Sequence, residues 1–581
     1  MSESVDRREF LRTAAGAAIL LPAGGTGAFV SGTPAAWSAT STLTTSASPV
    51  RHRAELLLRN AEVYDGSGGR PLEADVLVSG DRIMRVGPGL QASGAEEIDL
   101  EGLALAPGFI DIHSHTDTEL FEHPRAESMI RQGVTTEVCG QDGGSVAPSA
   151  LERTARLRTE YAALGFEVDM STLGGFFKAI DTHRPALNVA SMVGAGTLRG
   201  LVIGDDDRPA TDQEISRMVE HVRQAIADGA CGLSSGLEYV PGGFASAQEL
   251  AALAAPLHGT GLPYASHMRN EDDRLLAAIE EALFVGQTAG VPVQISHLKV
   301  QGGRNWWKAD VVFELIERAR AAGTDVHFDR YPYIAYSTGL SNLFPLWARD
   351  GGNAAFLARL RDAATLPRIE AAVRDKIDQL GSWDAVQITS TSNDDVAWAR
   401  GQRLGRLAEQ RGREPWPLLL EIMFADGARS GMVGFGMSEE NTERVLAHPL
   451  GMICSDGSAL ATEGPLASGS PHPRNFGTFP RVLGHYVRDR RVMPLETAIH
   501  KMTGMPAAKL RLPGRGAIRE GAFADLVAFD PGTVADRATF ERPHQYPVGI
   551  PWVIVNGEVV IRAGEHTDAR AGRVLRPDHN R

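Results

Sequence analysis

Across residues 54–106 short apolar runs alternate with Gly, Asp and Pro, as in "AELLLRNAEVYDGSGG", "ADVLVSGDRIMRVGPG" and "EEIDLEGLALAPG". That texture predicts short strands joined by turns. It returns near the C-terminus in "GAFADLVAFDPG" and "PVGIPWVIVNGEVVIRAGE". The two β-rich ends, 51–107 and 511–581, are therefore expected to join as one small β-sandwich. Between them, over 108–510, the rhythm changes. "LNVASMVGAG" precedes "TDQEISRMVEHVRQAIADGA", where Ile215, Met218, Val219, Val222 and Ile226 fall at helical spacing. "LPYASHM" leads into "RLLAAIEEALFVGQTAG", and "VPVQISHLK" into "VVFELIERARAAG". Strand then helix, repeated, predicts an α/β fold with a parallel sheet, whose common closed form is the (β/α)8 TIM-like barrel. Residues from about 341 to 435 break the rhythm with charged stretches such as "FLARLRDAATLPRIEAAVRDKI". They read as an inserted helical segment, a cap over the site.

The polar residues of interest end the apolar runs. "PGFIDIHSHTD" holds His113 and His115 two positions apart, hence on one face of a strand. His267 ends "GLPYASH", His297 ends "VPVQISH" and Asp456 ends "GMICSD". A barrel of this type carries its chemistry at the C-terminal ends of its strands. One buried histidine is commonly a satisfied core residue. Five side chains of metal-ligand type at corresponding places are not accounted for that way. Four imidazoles and a carboxylate suit Zn²⁺ ahead of Fe, Mn or Co. Such a centre acidifies water and polarises a carbonyl. Asp456 is then placed to take the proton and pass it to a leaving nitrogen, which describes amide hydrolysis.

Composition narrows the partners. The 581 residues are 43% hydrophobic and 22% charged, ordinary for a globular enzyme of two or three domains. A net charge of −14 disfavours nucleic acid or an anionic membrane surface as the main partner. Cys139, Cys231 and Cys454 each lie in apolar or glycine-rich runs, so no disulfide framework is expected. Within residues 1–50, "DRREFLRTAAGAAILLPAGG" reads as a twin-arginine-like export signal followed by a flexible Ser/Thr-rich leader. Its apolar stretch is short and broken by Pro22 and Gly24, so no stable membrane span is expected. The expected location is periplasmic or extracellular.

Over residues 54–563 the chain resembles the amidohydrolase superfamily, and within it the N-acyl-D-amino-acid deacylase (D-aminoacylase) group. The motifs are "GFIDIHSHTD", "GVTTEVCGQDGGSVAP", "GLSSGLEYVPG", "YASHMRNE", "ISHLK", "DRYPY", "SDG" and "PHPRNFGTFPRVLG". The resemblance implies a zinc enzyme with one or two ions, acting on a small N-acylated amino acid or related amide. By position it implies His113, His115, His267 and His297 as metal ligands and Asp456 as acid/base. It implies Lys299 and Arg474 as a clamp for the substrate α-carboxylate, and Tyr239 as a group on the scissile carbonyl. Members commonly carry a ligand cysteine in "GNCG" after "GVTT". Here Asp142 stands at that place and Cys139 three residues earlier. The resemblance thus points to Asp142 as an oxygen ligand able to bridge two metals, or else to Cys139, which could substitute only with the loop rebuilt and otherwise reads as a small buried strand residue. Ala195 stands where histidine is usual after "VG". Glu238 reads as either a metal ligand or a solvated charge, the latter slightly favoured, and no lysine is at the fourth strand's end to form a carbamylated bridge.

Overall fold

The computed structural model describes residues 55–165 and 167–578. The twin-arginine-like segment and leader lie outside them. The strands of the central barrel are β1 (Phe109–Asp111), β2 (Val134–Cys139), β3 (Asn188–Ser191, resumed at Val193–Gly194) and β4 (Leu233–Gly236). The ring continues with β5 (Tyr264–His267), β6 (Val293–Ile295), β7 (Val326–Arg330) and β8 (Gly451–Ile453). Each pairs in parallel with the next, except that β8 follows β7 only after the insertion. The ring closes between β1 and β8. There Ser114 bridges Gly457 in parallel, Asp456 N donates to His113 O at 2.9 Å, and His115 N donates to Gly457 O at 2.7 Å. The seam of the barrel is therefore made by the residues expected to do chemistry.

Local chemistry explains the alternating helices. The helix Asp212–Asp228 opens on a capping box between Thr211 and Glu214 and ends on Gly229 at φ 109°, a conformation that favours glycine. Its Met218, Val222 and Ala225 are buried, and Ile215, Val219 and Ile226 pack at the edge of the same core.

Both chain ends enter one nine-stranded sheet. They meet where Ala104–Pro107 pairs antiparallel with Leu526–Phe529. The period of two then divides the side chains. Leu105, Leu526 and Ala528 join the sandwich core with Leu56, Val76 and Ile83. Ala104, Ala106, Val527 and Phe529 point the other way, into the barrel's core. This shared sheet seats the small domain on the barrel.

Two expectations need correction. The insertion is not purely helical. It begins at Ala335 and contains a three-stranded antiparallel sheet, Ala335–Gly339, Val386–Ser390 and Gly431–Phe435. These are five-residue strands rich in Gly, Ser and Thr, too short and polar to stand out beside charged helices. The C-terminal tail also leaves the sandwich. Val189 N donates to Arg573 O at 3.0 Å and Leu575 N to Val189 O at 2.8 Å, so the tail extends β3's edge at the barrel.

Asp525 ties these parts together. It is 6% exposed, accepts from Asn556 N at 2.7 Å and Asn188 Nδ2 at 3.2 Å, and pairs with buried Arg515. Asn556 Nδ2 in turn donates to Asn188 Oδ1 at 2.7 Å and to Ala571 O at 2.8 Å in the tail. Asp525→Ala strands a buried guanidinium, which costs about 3–5 kcal/mol. Urea unfolding should show that loss, and Asp525→Asn should recover part of it. An unchanged midpoint in Asp525→Ala would contradict this role.

Candidate metal centre

The strand expected to run to His115 ends at Asp111, and the two histidines follow it into the barrel mouth, held there by the seam bonds of His113 O, Ser114 and His115 N to Asp456 and Gly457. Ile112 is buried in the core, and Ser114 turns to Thr116 Oγ1 and Glu137 Oε1, at 3.1 and 3.0 Å. His113 is fully buried, while the His115 side chain keeps 33% of its surface and marks the open side of the site. Three other members sit on left-handed backbone: Asp142 at φ 52°, His297 at φ 36° and Asp456 at φ 52°. Residues other than glycine hold that conformation only where the surroundings enforce it. Asp329 Oδ1 holds His297 N at 2.7 Å, and the β1–β8 seam holds Asp456. The Asp142 loop lies so close over β4 that a Cβ on Gly236 would come within 1.9 Å of Asp142 O.

Asp142 is the hub. Its carboxylate lies 3.3 Å from His113 Nε2, 3.5 Å from His115 Nε2, 3.3 Å from His267 Nδ1 and 3.3 Å from His297 Nε2. Asp456 Oδ1 lies 3.0 Å from His115 Nε2 and 3.7 Å from His113 Nε2. His267 Nδ1 and His297 Nε2 are 2.9 Å apart. Donor atoms of His113, Asp142, His297 and Asp456 all lie within 4.8 Å of one another. Two ligands about 2.1 Å from one tetrahedral ion stand about 3.4 Å apart, so these separations fit a shared cation. Both nitrogens of His113, together with Asp142 Oδ1 and His267 Nε2, are buried without a hydrogen-bond partner among the described residues. Of these, His113 Nε2 and Asp142 Oδ1 face the cluster and are atoms a cation can satisfy, whereas His113 Nδ1 faces Asp329 and His267 Nε2 faces Glu238. The oxygen and nitrogen donors suit zinc and related divalent ions.

Electrostatics follow from this packing. Desolvation raises the Asp142 pKa, but the surrounding imidazoles overcome it and hold the carboxyl well below the usual carboxylate range. Burial lowers the histidines, and the carboxylates more than reverse it. His113 rises well above 6.5, His115 to about 9 and His267 to about 10. Asp456 is likewise opposed by desolvation and held low chiefly by Arg474, whose Nη1 is 2.5 Å from Oδ2.

The other expected residues fall as follows. The Tyr239 ring lies tilted against His267, with ring centroids 4.7 Å apart, and its hydroxyl accepts from Thr338 Oγ1 at 3.2 Å. Burial, then Asp142, pushes its pKa far up, so it stays a neutral hydroxyl. Lys299 and Arg474 are both buried, and each is paired within the protein: Lys299 Nζ with Glu271 Oε1 at 2.7 Å, Arg474 with Asp456. Cys139 stands apart, its Sγ donating to Thr116 O at 3.1 Å. Ala195 opens the helix Ala195–Val202 and is buried in the barrel core. Glu238 is not a solvated charge. Its Oε2 lies 3.7 Å from His267 Nε2 and accepts from the insertion's Asn342 Nδ2 at 3.0 Å, because the insertion folds over the β4 end.

Three partners went unassigned in the sequence: Asp329, Glu271 and Tyr331. Asp329 Oδ1 lies 3.5 Å from His113 Nδ1, and its Oδ2 accepts from Gln294 Nε2 at 2.6 Å. The Tyr331 ring lies 5.7 Å from Lys299 Nζ and 5.2 Å from Arg474 Cζ, and its buried hydroxyl has no partner among the described residues. Asp329 and Tyr331 stand in "DRYPY" and Glu271 in "SHMRNE", at strand ends like the ligands. That placement was the available signal.

A parallel barrel with a histidine–carboxylate cluster at its strand ends defines a metal-dependent hydrolase. The chain belongs to the amidohydrolase family, whose model matches residues 96–561. It is 38% identical over 524 residues to the D-aminoacylase of Alcaligenes xylosoxydans xylosoxydans, covering 90% of this chain and 97% of that one. Among solved structures, a D-aminoacylase studied for the role of its binuclear metal centre is 37% identical at TM-score 0.74, over 90% of this chain and 99% of that one. The N-acyl-D-glutamate deacylase of Bordetella bronchiseptica, in complex with zinc and a phosphonate mimic of the tetrahedral intermediate, is 33% identical at TM-score 0.76. The match covers 90% of this chain and all of that one (100%).

The histidine shifts set a pH dependence for metal-free protein. With folded values of about 9 and 10 for His115 and His267, against 6.5 ordinarily, their pairing with Asp142 stabilises the fold fully below about pH 6.5. It is lost as the pH climbs through those folded values. Chelator-stripped protein should therefore melt at lower temperature as pH rises from about 7 to about 10. Apparent zinc affinity should rise over the same window, because zinc displaces those protons. A stripped protein whose melting temperature climbs there would contradict the pairing.

Proposed function

We propose that the protein hydrolyses the amide of N-acyl-D-amino acids to a carboxylate and a free D-amino acid, with one or two zinc ions. The observation that carries this is the position of Asp456. It is an ionised, buried carboxylate between the histidine cluster on one side and Arg474 on the other. The D-aminoacylase and the N-acyl-D-glutamate deacylase that the chain resembles support the substrate class.

Asp142, His267 and His297 would hold one ion, with His113, His115 and Asp456 available to a second. Asp142 would be shared between the two, since Oδ1 lies near His113 and His297 and Oδ2 near His115 and His267. When bound, the metal supplies Lewis acidity that acidifies water and polarises a carbonyl. Asp456 Oδ2 is occupied by Arg474, which leaves Oδ1 to take the attacking water's proton and return it to the leaving nitrogen. Tyr239, kept neutral, donates its hydroxyl hydrogen to the substrate's carbonyl oxygen. Lys299, Arg474 and the Tyr331 hydroxyl meet the α-carboxylate. A guanidinium has five hydrogens and an ammonium three, so each can hold an anion while keeping its internal partner.

Asp456→Asn should reduce kcat by about 10²- to 10⁴-fold on an N-acyl-D-amino acid while metal analysis still finds zinc. Lys299→Ala and Arg474→Ala should raise KM for carboxylate-bearing substrates. Activity on a neutral cyclic amide that survived both changes, with none on N-acyl-D-amino acids in the wild type, would overturn the reading.

We also propose twin-arginine export, supported by Arg7-Arg8 and the apolar stretch after them. Replacing both arginines with lysine should leave the protein in the cytoplasm on cell fractionation. Unchanged export would refute it.

A further inference from the structure

Glu271 is a charged residue at the site with no role so far. It is 2% exposed and lies in the loop after β5, four residues past His267. Its Oε1 is 2.7 Å from Lys299 Nζ and 3.1 Å from His297 Nδ1. Its Oε2 accepts from Gln301 Nε2 at 2.7 Å, and Gln301 N donates to Glu271 O at 2.8 Å. The carboxylate is thus locked in place from behind.

Lys299 Nζ is itself 2.7 Å from His297 Nδ1. One ring nitrogen cannot both accept from an ammonium and donate to a carboxylate. Were Nδ1 to accept from Lys299, the ring hydrogen would sit on Nε2 and point at Asp142, with no lone pair to offer a metal. With Nδ1–H given to Glu271, Nε2 turns its lone pair toward the cluster, where Asp142 stands 3.3 Å away. The ammonium beside Nδ1 opposes that arrangement electrostatically. The shared Oε1 compensates both charges at once.

We propose that Glu271 is a positioning residue serving both halves of the site. It sets the nitrogen that His297 presents to the metal, and it holds Lys299 Nζ where an anionic substrate is met. The second half rests on the deacylase reading; the first needs only a bound metal.

Glu271→Gln keeps the size and one acceptor oxygen but removes the negative charge that offsets the ammonium beside His297 Nδ1, so that Nδ1 turns to accepting from Lys299. Zinc affinity is read by competition with a chromogenic chelator, and kcat and KM on an N-acyl-D-amino acid. Zinc should bind about 10- to 100-fold more weakly, the range found when such supporting hydrogen bonds are lost. KM should rise more than kcat falls. In a Lys299→Ala background, where no ammonium competes for Nδ1, the Glu271→Gln effects on KM and on zinc affinity should both shrink, a dependence on Lys299 that a packing role would not produce. Should Gln prevent cooperative folding, Glu271→Asp, which keeps the charge but withdraws the oxygen, is read in the same way. Zinc affinity within twofold of wild type, or a KM effect that persists undiminished without Lys299, overturns the proposal. If wild-type protein binds zinc but cleaves no N-acyl-D-amino acid, the deacylase reading fails while the zinc comparison still decides for or against Glu271.

Discussion

One carboxylate among four imidazoles is the contact on which the rest depends. Asp142 reaches His113, His115, His267 and His297 within 3.5 Å, from a loop that adopts left-handed backbone to do so. In metal-free protein this is a set of charge-paired hydrogen bonds. With a divalent cation the same atoms become a ligand set, because separations near 3.4 Å are those of ligands sharing one ion. A hard oxygen donor selects less strongly for zinc over other divalent ions than a thiolate would, and a two-oxygen group can serve two ions.

The fold supplies that convergence by closing at the site itself. The β1–β8 seam is made by His113, Ser114, His115, Asp456 and Gly457, so ring closure and the spacing of two histidines from Asp456 are one event. The insertion then covers the mouth from the β4 side, where Thr338 meets Tyr239 and Asn342 meets Glu238. Its Lys376 Nζ reaches Asp272 Oδ2 at 2.6 Å, next to Glu271 in the β5 loop. Access remains on the side of His115. Behind the histidine cluster stand two buried carboxylates, Asp329 near His113 Nδ1 and Glu271 near His297 Nδ1.

The barrel was legible because several apolar runs close on a polar residue, as at His115, His267, His297 and Asp456, and helices with a clear apolar stripe stand between them, as in Asp212–Asp228. The two-ended small domain was legible from its turn-rich strands at both ends of the chain. The insertion's sheet was not, since strands such as "AYSTG" and "VQITS" bury only some of their residues and carry no long apolar run. The path of residues 571–578 depends on hydrogen bonds to Val189, hundreds of positions away, which no local pattern records. At the site, the histidines and Asp456 could be read from type and position, and Asp142 only from the resemblance. The internal partners of Lys299 and Arg474 could not, because they depend on the fold of separate loops. Glu238 misled for the same reason, since the insertion shields it.

Anomalous diffraction at the zinc edge from crystals of the zinc-loaded wild-type protein tests the central claim most directly. The account predicts an anomalous peak bonded to Asp142 together with His267 and His297, with any second peak between Asp142 and the His113–His115 pair. A zinc held by Cys139, or one whose coordination leaves Asp142 out, would contradict it.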